Sequence, residues 1–165
     1  MGAAVRTRWS PGLIFGARFF LCLLAFSVFF WVFSLHEHLG PVQRLIAAVS
    51  ADAARWAGGD AHAQGEEILV KTMVMTINHE CTGIFVCVLF ASFVLAYPAS
   101  WSARLWGFAI GLPLFFCVNV LRLAMLARIV EVYPGAFFYF HEYVWQGIFM
   151  LFVLVGSIAW AERFG

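Results

Sequence analysis

Four long apolar runs, at about residues 13–35, 82–98, 105–127 and 143–161, constrain this chain more than any other feature. A helix needs roughly 20 apolar residues to cross hydrocarbon, somewhat fewer where the bilayer thins. The second run is the shortest and stops at Pro98; it spans only if its first turn begins near Cys81. Hydrophobic residues make up 64% of the chain and charged ones 12%, too few polar groups to cover a soluble core of this size. The reading is an all-α, polytopic membrane helix bundle with about four transmembrane helices, forming one membrane-embedded domain over residues 1–165. Trp31, Tyr97, Trp101, Trp106, Tyr143 and Trp160 fall near the run ends, as interfacial aromatics do. Arg6 and Arg8 before the first run suggest a secretory signal. The run is longer than a usual signal core and no small-x-small site follows it, so a retained helix is expected.

Residues 36–80 form the one sizeable polar segment. Within Pro41 to Trp56, Val42, Leu45, Ile46, Val49, Ala53 and Trp56 recur at helical spacing, which predicts an amphipathic interfacial helix ended by Gly58-Gly59-Asp60. Glu67 to Ile77, with β-branched residues around Lys71, predicts a short hairpin. Arg6, Arg8, Arg104 and Arg163 share one side of a four-span bundle; Arg44, Arg55, Lys71 and Arg128 share the other. The basic residues alone do not decide orientation. Short, acid-poor ends and the 98–104 loop favour the cytoplasm for the first group, which makes residues 36–80 extracytoplasmic.

The chain's formal charge of +1 argues against nucleic acid, which takes a concentrated basic surface. Cys22, Cys87 and Cys117 lie inside apolar runs, where thiols act as small hydrophobes. His36, His38, His62 and His79 fit no ligand spacing for zinc or haem, so no metal and no cofactor is expected. Gly107 and Gly111 form a small-xxx-small helix-packing motif.

Chain reversal between the runs brings three unlike groups to one membrane face: Cys81 opening the second helix, Arg122 near the end of the third, and His141 just before the fourth. A helix N-terminus favours thiolate, and the amides of Thr82 and Gly83 are candidate donors to an oxyanion. Gly83 allows close approach of a carbonyl. An arginine near hydrocarbon is expensive and marks function by default, with snorkelling to headgroups as the ordinary alternative. Asn119, one turn earlier, shares its face and is placed to orient it. Arg128 is expected to reach headgroups. His141 at a helix start is kept neutral and available as a base, and Glu80 and Glu142 are adjacent acids able to orient it.

The stretches Cys81-Thr82-Gly83-Ile84 and Asn119-Val120-Leu121-Arg122, followed by His141 before the last helix, resemble the exosortase/archaeosortase family in order and spacing. The resemblance covers roughly Ala47 to the C-terminus, and this chain looks like a compact version, since many members have about twice as many spans. It implies Cys81 as nucleophile, Arg122 as an essential group and His141 completing the site. It also implies a membrane-embedded cysteine transpeptidase or protease acting on membrane-anchored surface proteins that end in a sorting signal. The acyl product passes to an acceptor such as a lipid or glycan, at the extracytoplasmic face of the inner membrane. A non-enzymatic scaffold binding lipid or a partner helix is the alternative, with Cys81 incidental. A haem or quinone protein is disfavoured by the lack of paired in-membrane histidines.

Overall fold

The computed structural model describes residues 10–33, 35–71 and 73–164. Arg6 and Arg8 lie outside them. Helix α1 (Pro11–Val32) starts with proline in its first turn, where the missing N–H is not needed, and none of its residues is buried. Helix α3 (Ile84–Ala96) ends before Pro98. Helix α4 (Trp101–Val132) is capped by the Ser100 hydroxyl, which accepts from the Ala103 amide at 3.2 Å. The last helical stretch runs from Pro134 through the single turn α5 (Phe137–Tyr139), a π turn (Phe140–Val144) and α6 (Trp145–Phe164).

Among the described residues, three helices are long and apolar enough to cross a membrane: Pro11–Val32, Trp101–Val132 and Pro134–Phe164. Phe20, Leu21, Leu24, Leu105, Ile110, Leu114, Leu151 and Leu154 all point outward from them. Helices apolar on their outer faces belong in lipid, and the chain is a helical integral membrane protein. The second run yields only the 13-residue α3. At 1.5 Å per residue it is about 20 Å long, short of the roughly 30 Å hydrocarbon core.

Among the described residues, two apolar cores form. The first joins α3, α4 and α6 through Val86, Phe90, Val94, Ala103, Phe115, Phe149 and Trp160. Gly107 and Gly111 make this contact close: a Cβ at Gly107 would lie 2.6 Å from Trp160 Nε1, and one at Gly111 would lie 2.3 Å from the Phe90 ring. Trp160 donates through Nε1 to Ala103 O at 3.0 Å. It is therefore a buried strut, unlike the interfacial aromatic its position suggests, whereas Trp31, Trp101, Trp106 and Tyr143 do stay exposed.

The second core is a small cap on the far end of α4. Thirty-two residues make α4 about 48 Å long, so it outruns the hydrocarbon and carries Leu123, Ala124, Leu126 and Ala127 into the cap. Helix α2 (Gly40–Trp56) lies against them. Its buried face is Ile46, Ala47, Ser50, Ala51 and Ala54, because small side chains let two helix backbones approach. Of the residues expected on its apolar interfacial face, Val42, Leu45, Val49 and Trp56 are exposed, whereas Ile46 is buried. The sheet is larger than the expected hairpin: β1 (Ala61–Gln64), β2 (Glu67–Val70) and β3 (Met73–Thr76) form one antiparallel meander. The pairs Ala61↔Val70 and Ile68↔Met75 put four buried residues on one face.

Arg128, expected to reach headgroups, has a partner within the protein. It pairs with Glu131, whose other carboxylate oxygen meets Lys71 Nζ at 3.2 Å, while the Asp60 amide also reaches Glu131 at 3.4 Å. This cluster ties the entry to β1 and the β2–β3 connection to α4.

Candidate active site

Cys81 belongs to the cap core and sits in a short 3-10 turn (His79–Thr82) that precedes α3. Asn78 caps this turn: its Oδ1 and backbone carbonyl both accept from the Cys81 amide, at 3.0 and 3.1 Å. The Thr82 hydroxyl donates to His79 O at 2.6 Å and accepts from the Ile84 amide at 3.4 Å. Gly83 then breaks direction with φ +72°, a left-handed conformation that favours glycine, and serves as the N-cap of α3. The thiol therefore stands one turn outside α3 and does not open it. It is 5% exposed. The expected helix N-terminus at Cys81 is replaced by a buried thiol in a 3-10 turn.

Asn119 bolts this turn to α4. It is wholly buried, donates through Nδ2 to Cys81 O at 2.8 Å, and packs on Gly83, where a Cβ would sit 3.1 Å from its Cγ. Gly83→Ala is expected to lower stability by about 1–2 kcal/mol, because it adds left-handed strain to this contact. Thermal melting of the purified protein checks it, as a fall of several degrees.

Arg122 is not at a helix end. The helix continues ten residues further to Val132, and Arg122 is 7% exposed, so it does not snorkel. Its Nη1 approaches Asn119 Oδ1 at 3.5 Å, and the guanidinium lies 5.2 Å from the Phe149 ring centre. Its buried Nε has no hydrogen-bond partner among the described residues. A buried charge with a donor to spare suits an anionic or developing negative group.

His141 also differs from its expected setting at a helix start: it lies inside the π turn Phe140–Val144, with helix on both sides. The turn carries it across to the cysteine, with Nε2 3.6 Å from Cys81 Sγ. Phe137 stacks on the imidazole at 5.3 Å between ring centres. A cleft of about 970 Å³ opens beside His141. Arg122 and His141 lie in it, walled by Phe26, Phe30 and Trp31 of α1 and by Ile84, Phe85 and Val88 of α3. Cys81, Thr82, Gly83, Asn119, Arg122 and His141 are thus gathered into one site. Asn78 and the aromatic supports Phe137 and Phe149 are additions. An asparagine three residues before Cys81 is a capping signal legible in the sequence; the aromatic supports leave no such signal.

Among the described residues, no three or more His, Cys, Asp or Glu side chains converge as metal ligands. A model of the transmembrane exosortase family matches residues 3–160, nearly the whole chain. The chain belongs to that family. The match extends to α1, further than the stretch from Ala47 on which the motif resemblance rests, so the helix that walls the cleft is part of the exosortase unit. Neither a curated protein nor a solved structure matches the chain.

Proposed function

We propose that this exosortase-family protein is a membrane-embedded cysteine transpeptidase or protease that cleaves the C-terminal sorting signal of exported, membrane-anchored proteins. The observation that carries the reading is the 3.6 Å approach of Cys81 Sγ to His141 Nε2 beside the buried Arg122. His141 takes the thiol proton, and the thiolate attacks the scissile carbonyl. Arg122 stabilises the oxyanion, with the amides of Thr82 and Gly83 as further donors. Asn119 holds the cysteine turn and the guanidinium in register. Protonated His141 returns its proton to the leaving amine, and the thioester passes to a lipid or glycan acceptor or to water.

In this reading α3 completes a fourth, short crossing together with the turn before it, and residues 36–80 form an extracytoplasmic cap on the inner membrane. The cleft then stands at the outer boundary of the bilayer. A substrate helix in the membrane lies against its aromatic walls and delivers the peptide bond just outside its own span.

Labelling intact cells with a charged, membrane-impermeant thiol reagent tests the site without a known substrate. The reagent does not enter lipid, so Cys22, Cys87 and Cys117 inside the apolar helices stay silent. Labelling is expected to require Cys81 and to slow about tenfold or more in His141→Ala at neutral pH. Cys81 that labels only after the membrane is opened contradicts the orientation, and Cys81 that labels equally fast without His141 contradicts the pairing.

A further inference from the structure

The hydrogen-bonding at His141 continues past the cysteine. Its Nε2 faces Cys81 Sγ, and its other ring nitrogen, Nδ1, lies 3.2 Å from Glu142 Oε1. To accept the thiol proton, Nε2 must be bare, so the ring proton must sit on Nδ1, where the carboxylate accepts it. Consecutive residues of an α-helix do not face one another. Here the two share the π turn Phe140–Val144, a distortion that recurs at functional sites. Phe137 stacks on the ring and restricts its rotation, so the carboxylate acts on an imidazole already held in plane. Glu142 lines the same cleft as His141 and Arg122.

We infer that Glu142 is a positioning residue, which fixes the His141 tautomer and aims Nε2 at Cys81, making the site a Cys–His–Glu relay. The inference rests on the cysteine chemistry proposed above. Glu142 touches neither the sulfur nor the scissile carbonyl; it acts through the imidazole. With its side chain 52% exposed, its removal should leave the fold intact and its effect should be smaller than that of a fully buried partner.

The direct test is the imidazole 15N spectrum of His141 in selectively labelled protein in detergent, read in wild type and in Glu142→Ala. The wild type is expected to show the proton on Nδ1, and Glu142→Ala to move it substantially to Nε2. Cys81 alkylation by iodoacetamide should slow about three- to tenfold in the same variant. A wild-type ring protonated on Nε2, or a tautomer unchanged in Glu142→Ala, overturns the inference while leaving the cysteine chemistry standing. A Cys81→Ala protein that still processes substrate overturns the parent reading and this one with it.

Discussion

Cys81→Ala is expected to abolish cleavage of a sorting-signal protein in membranes, a loss on the order of 10⁴-fold or more. The size follows from the proposed chemistry: without the sulfur no thioester forms, and neither Arg122 nor His141 supplies another route. Cys81→Ser should be nearly as inactive, since an alkoxide is far harder to generate with the same imidazole. The alanine replacement removes one sulfur from a buried site, so the protein should still fold, and an electrophoretic shift of the substrate protein reads the loss. Full processing by either variant would return Cys81 to the status of a buried apolar residue.

Arg122→Ala carries the second large effect, a fall of about 10²–10³-fold in turnover, the range seen when an oxyanion donor is removed. Here the structural and catalytic contributions separate. Arg122 touches Asn119 and the Phe149 ring, and both contacts vanish in the variant. Arg122→Lys keeps the charge but loses the planar fork, so it should recover only part of the rate. If Arg122 served only to hold Asn119, lysine and alanine would be about equally active once folded. Single-turnover cleavage with each variant, corrected for folded protein, decides between them.

What the sequence carried well was the helical membrane class. Among the described residues, three of the four apolar runs become helices long enough to cross a membrane, and Cys81, Asn119, Arg122 and His141 lie in one chain of contacts. The Asn119–Arg122 pair was legible because residues three apart share a helical face. The extent of α4 was not. Arg128 looks like the polar end of a span, yet it shares Glu131 with Lys71 and the helix runs on to Val132.

In the cap, Val42, Leu45 and Trp56 stay on the exposed face of α2, as an interfacial helix requires, while the alanines and Ser50 take the α4 side because close backbone approach needs small residues. Strand β1, with the sequence Ala-His-Ala-Gln, has little strand propensity of its own; pairing with β2 supplies it. At the site, the left-handed Gly83 and the π turn at His141 are local departures from regular helix. Hydrophobic periodicity carries no information about either, and each changes where a reactive side chain stands.

The central claim is a covalent acyl-enzyme on Cys81, and mass spectrometry of the acid-quenched enzyme during turnover of a sorting-signal protein tests it most directly. The account predicts a substrate-derived adduct on the peptide containing Cys81, removed by hydroxylamine. Turnover with the Cys81 peptide unmodified, or with the adduct on another residue, would contradict it.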